Sequence, residues 1–556
     1  MSFEAPPTLL ELSMKSLLRN EALAISVLQQ LPSEFFPSLF KEAFKSRHMK
    51  ILTAMVAVWP FACLPVGAMM KVPDRMILQA VLDGVDIMLT DKAHFRRSKL
   101  RVLDLRNTHN VFWDVWPGIH GLDCSKGTLS KKQTGNGHFR YAVRRLLKVV
   151  TDFDLRLNLD EQQAYLLQWA QQRKGAVRLC CMKMSICVTP LGIIMMVLKT
   201  FQPDYIEELE LSTNWSLVTL SHFATCFGQM RNLRRLHLAR IYTNTDKAVN
   251  TSANIEEKCA ARFISQIAKL NCLQHLSMDG VYFSSERMKQ LFRCIKSPLK
   301  TLSVSLCRIS QSDLKHLSQC RRLFHLKHLN LFGVALFNLC PTHLFFLLKN
   351  VGDTLQSLEL EHCRMGDSHL SALLPALSQC LQLTRVNLYD NDLSTSLLKE
   401  LLQSMTHLSK LTEEFYPAPL ECYGESGHVI VDKFAKLCPD LLDILRSKRQ
   451  PKKVSFGTEF CPQCFQRCVY DQKTKLCQAP LSPSITRSLA PPTFPELTQR
   501  AKLRTSAAAG SGSAQRKSRS PVSFPRAFRP VSLLGAVAEN RDPCPGTLLC
   551  SPSSSG

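Results

Sequence analysis

The sequence lacks the features that would place the protein in a membrane or give it a catalytic centre. The longest apolar stretch, MSICVTPLGIIMMVLKTF (184–201), is interrupted by Pro190 and Lys199, so it is too short for a transmembrane helix. The amino terminus has no basic segment followed by an unbroken apolar run, so we expect no signal peptide. A glycine-rich phosphate-binding loop is missing, and no cysteine is spaced to act with a base. We therefore expect no enzymatic activity and no membrane association.

Acidic residues are scarce relative to basic ones: 45 Asp and Glu against 70 Lys and Arg, a net charge of +25. Such a charge suggests nucleic-acid binding. However, the basic residues are spread over the whole chain, and no aromatic residues alternate with them as a base-stacking surface requires. The excess fits acidic protein partners equally well. The 22 cysteines mostly stand singly in apolar runs, so we expect reduced thiols and a cytoplasmic or nuclear location.

A leucine pattern repeats along the chain. The motif L-x-x-L-x-L-x-x-N/C-x-L begins at Leu299, Leu355 and Leu383, and a copy at Leu326 has Val334 in the Asn/Cys place. These four copies start 27, 29 and 28 residues apart. Less complete copies begin earlier, at Leu100, Ile206, Leu233 and Leu273, with a weak one near 177–184.

The spacing predicts an α/β leucine-rich-repeat solenoid of the ribonuclease-inhibitor-like horseshoe type. The L-x-L segment places two leucines on one face of a short strand, and a period near 28 leaves room for a returning helix. L-x-x-L-L strings at 344–348, 370–374 and 398–402 have helical spacing. Such strings also dock coactivators on nuclear receptors, but these recur in step with the repeat. We expect their leucines in the core.

The first helix carries a motif of its own. Thr8 and Glu11 form a capping box, T-x-x-E, which predicts that a helix begins at Thr8. Leu9, Ser13 and Leu17 then lie on one stripe of that helix. The pattern resembles the BC box that binds elongin C: an apolar anchor, a small residue and another apolar residue. Thr8, Leu9, Ser13 and Leu17 are therefore candidate elongin C contacts.

A second motif follows within the first 40 residues. Leu31, Pro32, Phe35 and Leu39 resemble the cullin-2 box, φ-P-x-x-φ-x-x-x-φ, with the apolar residues expected on one helical stripe. The cullin-5 version needs a second proline where Glu34 stands. The alternative is a hydrophobic cap over the open end of the solenoid. Both can hold, because Phe36, Phe40 and Phe44 form a second face suited to such packing.

Several segments resemble the PRAME (preferentially expressed antigen in melanoma) family, over residues 1–475. They are LAISVLQQLPSEFFP (23–37), AVWPFACLPVG (57–67), VLDG (81–84), LDLR (103–106), GQMRNLRR (228–235) and FYPAPLECY (415–423). The resemblance implies a leucine-rich-repeat horseshoe and, from its best-known member, a substrate-receptor role in a cullin-2 ubiquitin ligase. It also implies links to transcriptional repression, apoptosis, differentiation and proliferation.

The carboxy-terminal part contains a cysteine cluster, Cys461, Cys464, Cys468 and Cys477, which resembles half a zinc knuckle. The family pattern has a second C-x-C pair where Gln478 and Ala479 stand, so we expect either a zinc site or a loose group of reduced thiols. A basic run over 446–453 fits nuclear import or a solvated helix end equally well. We expect three parts: a helical cap (1–99), the repeat domain (100–477) and a disordered basic Pro/Ser-rich tail (478–556).

These observations leave three hypotheses. The first is a non-catalytic substrate receptor that binds elongin B/C, cullin-2 and its RING subunit. The second is a protein-binding scaffold or corepressor without ligase activity, and the third, least favoured, is a nucleic-acid binder. In the first two, exposed residues of the concave strands should read the target. The candidates are Lys327, Asn330, Glu359, Asn387 and Tyr389.

Overall fold

The computed structural model describes most of the chain between residues 8 and 480. The described ranges are 8–70, 74–90, 98–107, 146–156, 159–187, 189–241, 250–424, 429–449, 451–460, 466–471 and 475–480. The predicted tail from 481 onwards lies outside them. The last described strand ends at Pro480, three residues past the predicted domain boundary at 477.

The described chain contains helices and short strands in near-regular alternation. The helices are α1 (Leu9–Arg19), α2 (Glu21–Val27), α3 (Phe36–Lys45), α4 (Met49–Ala57), α5 (Arg75–Thr90), α6 (Glu161–Gln172), α7 (Leu191–Leu198), α8 (Leu217–Phe227), α9 (Asn250–Ile267), α10 (Ser285–Cys294), α11 (Gln311–Gln319), α12 (Thr342–Val351), α13 (Asp367–Leu377), α14 (Thr395–Met405) and α15 (Val431–Arg446). The strands are β1 (Cys63–Leu64), β2 (Val102–Asp104), β3 (Leu147–Leu155), β4 (Val177–Cys187), β5 (Glu208–Ser212), β6 (Arg235–Ile241), β7 (His275–Val281), β8 (Thr301–Ser305), β9 (His328–Asn330), β10 (Ser357–Glu359), β11 (Arg385–Asn387), β12 (Glu413–Pro417), β13 (Lys453–Gly457), β14 (Gln466–Asp471) and β15 (Lys475–Pro480).

All 15 strands form one sheet in chain order, as a solenoid requires. Each strand from β1 to β12 is parallel to the next, whereas β13 pairs antiparallel with β14, and β14 with β15. The register follows the sequence repeat: Thr301 pairs with His328, His328 with Ser357, and Ser357 with Arg385. The predicted parallel horseshoe with helices outside is confirmed.

The leucines of the repeat fill a continuous core. Leu358 and Leu360 of one repeat are fully buried, as are Val386 and Leu388 of the next. The L-x-x-L-L strings lie in α12, α13 and α14, and all nine of their leucines are buried. Their predicted core role is confirmed, because a leucine packed between neighbouring repeats is not available to another protein.

The Asn/Cys position closes each turn after the strand. The Asn391 side chain donates to Leu360 O at 2.9 Å and accepts from Met365 N at 2.9 Å. The Cys363 thiol donates to Leu331 O at 3.2 Å. The residue before this position has a left-handed backbone: φ is +52° at Leu306, +68° at Gly333 and +59° at His362. The turn therefore recurs although glycine, which adopts this conformation most easily, occupies only some of its copies.

The sequence pattern missed six of the described strands: β1, β3 and β12 to β15. β3 lies in the segment that seemed too polar for a repeat, yet Leu147, Val149, Phe153 and Leu155 alternate inward along it. β1 belongs to the predicted helical cap, and it pairs with β2 to become the first strand of the sheet. The weak copy near 177–184 forms an 11-residue strand, β4.

The amino-terminal helices are joined to the repeats by a polar contact. Asp86 on α5 forms a bidentate ion pair with Arg173, which follows α6. The indole of Trp169 donates to Asp86 Oδ2 at 3.1 Å. Because α5 and α6 belong to different parts of the chain, this contact fixes the cap on the first repeats. Within the part of the chain that the structure describes, no helix combines the length and apolarity needed to cross a bilayer.

Replacing Leu360 by Asp should lower the free energy of unfolding by roughly 3–5 kcal/mol, because the carboxylate would lie in the core without a partner. Chemical denaturation measures the loss. Leu381 is a matched control, since its side chain is 56% exposed on the outside of the solenoid. Leu381→Asp should leave stability nearly unchanged. Equal stability of the Leu360 variant and the parent would show that the strand register is wrong.

Candidate partner-binding surfaces

The first helix presents an apolar face to solvent. The predicted capping box is present: the Thr8 hydroxyl accepts from Glu11 N at 3.3 Å, and Thr8 N donates to Glu11 Oε2 at 2.9 Å. Met14 and Leu18 anchor the helix to the core, which leaves Leu9 87% exposed.

The BC-box residues therefore divide by exposure. Leu9 and Ser13 are exposed, and the Ser13 hydroxyl donates to Leu10 O within the helix at 2.8 Å. Leu17 is partly buried against the core. Leu10 and Leu12 are also exposed, so the apolar surface extends beyond the motif. We call Leu9, Leu10, Leu12 and Ser13 the α1 face.

The second motif lies on a turn and not on one helical stripe. Pro32 precedes a single 3₁₀ turn (Ser33–Phe35), and α3 begins only at Phe36. Pro32 is exposed, Leu31 and Phe35 are partly buried, and Leu39 is 1% exposed. The prediction of a single stripe is wrong, because the chain turns between the proline and the helix.

The predicted packing face of α3 lies in the core. Phe36 and Phe40 are buried and pack edge-on against Trp59, with ring centroids 6.1 and 5.3 Å from that of the indole. Phe44 is partly buried against the same core. This segment closes the end of the solenoid, as the alternative prediction has it.

Towards its carboxy-terminal end, the concave face is less exposed to solvent than the sequence predicted. Lys327 is exposed, and Asn330 is partly buried with its side-chain oxygen accepting from Phe332 N at 2.8 Å. Asn387 is buried, and little of Glu359 or Tyr389 is accessible. The prediction that these three are exposed is wrong: Arg467 of the antiparallel strand β14 lies over Tyr389, Asn387 is bonded to Glu361, and Glu359 lies beside Arg385.

Arg467 is the centre of a buried ionic group. Its guanidinium donates to Glu361 at 3.0 Å and to Asp390 at 2.8 Å, and only 3% of the side chain is exposed. The ring of Tyr389 lies 4.7 Å from the guanidinium carbon, within cation–π distance. The Asn387 amide donates to Glu361 at 2.8 Å. We call Glu359, Glu361, Asn387, Asp390 and Arg467 the Arg467 cluster.

The cluster contains more carboxylates than cations. Burial raises the pKa of Glu359 to about 8, with repulsion from Glu361 as the next cause. Burial also raises the pKa of Asp390 to about 7, although Arg467 opposes the shift. One oxygen of each of these two carboxyl groups has no hydrogen-bond partner among the described residues. The cluster therefore retains protons that a solvated carboxylate would lose.

Arg467, Glu361 and Asp390 were not among the predicted site residues. Glu361 and Asp390 stand beside strand leucines, where a repeat motif predicts exposed positions. Arg467, which contacts both, lies 106 residues after Glu361 and 77 residues after Asp390 in the sequence. No local sequence pattern predicts such a contact.

The structure describes two of the four carboxy-terminal cysteines and most of the basic run over 446–453. Cys461 and Cys464 lie outside the described residues. In the β14–β15 hairpin, Cys468 pairs with Gln478 and Cys477 with Val469, so the two cysteines are not cross-strand partners. Within the basic run, Arg449 donates to the buried Glu414 at 2.6 Å. Arg449 is therefore part of the fold, and the run is not uniformly solvated.

Parallel strands inside, helices outside and a leucine-defined turn make this chain a leucine-rich-repeat protein. Two family models extend that assignment: the PRAME N-terminal domain matches residues 6–113, and the PRAME C-terminal domain matches residues 147–478. The chain belongs to the PRAME family.

Relatives in human and mouse align over nearly their full length. PRAME family member 12 of Homo sapiens is 42% identical over 86% of this chain and 98% of its own. Preferentially expressed antigen in melanoma-like protein 7 of Mus musculus is 42% identical over 84% of this chain and 97% of its own. Oogenesin-3 of the same species is 40% identical over 85% of this chain and 94% of its own. An internalin from Listeria monocytogenes is a similar solved structure, 12% identical, covering 72% of this chain and 96% of its own with a TM-score of 0.31.

Replacing Glu359 by Gln should stabilise the protein at alkaline pH. The folded pKa lies near 8 and the unfolded one near 4.5, so the folded protein holds the extra proton between these values. Stability of the parent therefore falls as pH rises through that window. Gln cannot ionise, so at about pH 9 the variant should be more stable by a few kcal/mol, a difference that shrinks towards about pH 5. Thermal melting at several pH values measures it.

Glu413→Gln is a control of opposite sign on the same face. A hydrogen bond from Arg385 lowers the pKa of Glu413, with Lys453 contributing, so its ionised form stabilises the fold. Neutralising it should lower the melting temperature at neutral pH and have less effect in acid. A Glu359 variant that is less stable than the parent at every pH would contradict the assigned buried acid.

Proposed function

We propose that the protein is a substrate-recognition subunit of an elongin B/C–cullin-2 RING ubiquitin ligase. In this proposal the α1 face binds elongin C, and Leu31, Pro32 and Phe35 meet cullin-2. The concave sheet holds the protein to be ubiquitinated. The chain itself performs no chemistry; it positions a target beside the RING subunit. Repression of transcription and altered apoptosis, differentiation or proliferation would follow from loss of that target, in the cytoplasm, the nucleus or both.

The exposure of Leu9 is the observation that carries the proposal. A leucine that is 87% exposed contributes nothing to the fold, and Leu10 and Leu12 beside it are 44% and 49% exposed. Contiguous exposed apolar side chains are typical of protein-binding sites. Ser13 leaves a gap between the leucines, into which a partner side chain can fit. An apolar helix face of this kind suits binding in a hydrophobic groove.

A second candidate is a protein-binding scaffold that lacks the cullin contact. The burial of Leu39 favours it, because a side chain that is 1% exposed cannot contact cullin-2 unless α3 moves. Leu31, Pro32 and Phe35 remain accessible in part, so the cullin contact in the first proposal rests on these three. The two candidates share the elongin C site and differ at Pro32 and Phe35.

The target would bind the middle of the concave face. The Arg467 cluster closes the last third, whereas β5 to β9 carry side chains with room for contact, among them His237, Ser277, Ser303 and Asn330. His275 is held there by Thr301, with 2.9 Å between Nδ1 and the hydroxyl oxygen. Lys327 lies at the rim of the same region. The predicted target-binding residues Glu359, Asn387 and Tyr389 are replaced in this role.

Leu9→Ala combined with Ser13→Phe should abolish elongin C capture. The first change removes the apolar anchor, worth roughly 2 kcal/mol or about a thirtyfold loss of affinity, and the second fills the gap. Both side chains are exposed, so the melting temperature should not change. Leu420→Ala is a matched control, because Leu420 is exposed at the other end of the solenoid. Capture at parental levels by the double variant would remove the basis of the proposal.

Pro32→Ala combined with Phe35→Ser separates ligase from scaffold. A cullin-2 receptor with these changes should still recover elongin C but lose cullin-2 and its RING partner, since weak contacts at two surfaces act together. Co-purification from cells measures both partners.

Thermal melting of the same variant distinguishes a binding defect from a folding defect. If residues 31–39 act only as a cap, the variant should have a lower melting temperature. It should also recover less elongin C and less cullin-2. A stable variant that still recovers cullin-2 at parental levels would favour the scaffold.

A further inference from the structure

A cavity lies at the rim of the solenoid, lined by none of the residues of the α1 face or of the concave strands. It has a volume of about 520 Å³ and lies where α10 and α11 end, beside the 3₁₀ turn Arg321–Leu323. Its lining residues are Phe292, Arg293, Ile295, Lys296, His316, Gln319, Cys320, Arg321 and Arg322. We call this cavity the basic rim pocket.

Basic side chains dominate the lining of the basic rim pocket, and none of the lining residues is acidic. Within the described chain, Arg293, Lys296, Arg321 and Arg322 form no ion pair and no side-chain hydrogen bond. By contrast, Arg287 on the same helix as Arg293 is bonded to Glu257 at 2.6 Å. The four exposed cations therefore line one cavity without an acidic partner in the described fold.

The helix ends account for only part of this charge. The carboxyl end of a helix carries roughly half a negative elementary charge, so α10 and α11 together offset about one of the four permanent cations. About three positive charges remain uncompensated around the cavity. Burial, Lys289 and Arg293 all lower the pKa of His316, which is consistent with a positive local potential. An anion with two or more charges would relieve this repulsion.

The size and floor of the pocket favour a small ligand. A volume near 520 Å³ falls within the range of about 300–1,000 Å³ that is typical of small-molecule sites. Phe292 and Ile295 are buried and form an apolar floor. Phe292 is the only phenylalanine, tyrosine or tryptophan among the lining residues, and it is buried, so none of these three ring types is exposed for a nucleic-acid base to stack on.

We propose that the basic rim pocket binds a small soluble polyphosphate, held by Arg293, Lys296, Arg321 and Arg322. Arginine binds phosphate through two parallel hydrogen bonds, and three arginines around one cavity suit a ligand with adjacent phosphate groups. The site is separate from the elongin C and cullin contacts, so it does not depend on the proposed ligase function.

Titration of the intact chain with inorganic tripolyphosphate tests this proposal. Isothermal calorimetry should show saturable binding at one site. Arg293→Gln combined with Arg322→Gln should weaken it at least about tenfold, since two charge-assisted contacts are lost. Lys399→Gln combined with Lys433→Gln is the matched control: it removes the same charge from exposed lysines elsewhere and should keep the parental affinity. Thermal melting checks that both variants are folded.

Three results would overturn the proposal. One is the absence of saturable tripolyphosphate binding, and another is equal weakening in both double variants, which would reflect net charge alone. The third is an oligonucleotide that binds more tightly than tripolyphosphate and depends on Arg293 and Arg322, because the ligand would then be nucleic acid. Sulfate at the same ionic strength should not displace tripolyphosphate if adjacent phosphates are recognised.

Discussion

The whole structure depends on the burial of the strand leucines between consecutive repeats. A single repeat cannot bury Leu358 and Leu360 by itself; the next strand must lie beside them in register. The recurring left-handed turn and the Asn391 or Cys363 side chain keep that register, since each satisfies the backbone where the chain leaves the strand. Such a stack of repeats always leaves one face of its first and of its last repeat without a neighbouring repeat. Both terminal repeats would expose leucines unless the chain covered them.

The two ends are covered in different ways, and the partner-binding surfaces follow from this. At the amino end, α1 to α5 pack on the first strands, with Phe36 and Phe40 against Trp59. A helix added to a cap buries only one side, so the Leu9 side of α1 is left exposed. At the carboxy end, the sheet closes with the antiparallel strands β14 and β15. That closure brings Arg467 over carboxylates of the concave face and removes them from any target.

The sequence predicted what depends on local periodicity and missed what depends on distant contacts. The repeat period located the strands from β4 to β11, and T-x-x-E located the start of α1 at Thr8. The same reasoning placed Glu359, Asn387 and Tyr389 on an open surface, since residues between strand leucines point away from the core. Whether such a residue meets solvent depends on distant contacts: Tyr389 is covered by Arg467, which lies 78 residues beyond it in the sequence. The long strand β3 was missed for a different reason: its inward residues alternate without the leucine spacing.

The distribution of charge separates surfaces with different roles. On the concave face several cations are paired: Arg235 with Glu208, Arg385 with Glu413, and Arg467 with Glu361. These pairs neutralise the face on which a protein target would lie, and they leave hydrogen-bonding groups such as His237 and Ser303 to give specificity. The excess of basic residues is therefore most effective where pairing is absent, as at the carboxyl ends of α10 and α11. Net charge alone predicts neither location. A charge of +25 attracts anions to the whole surface, whereas binding at one defined place requires several unpaired cations around the same cavity.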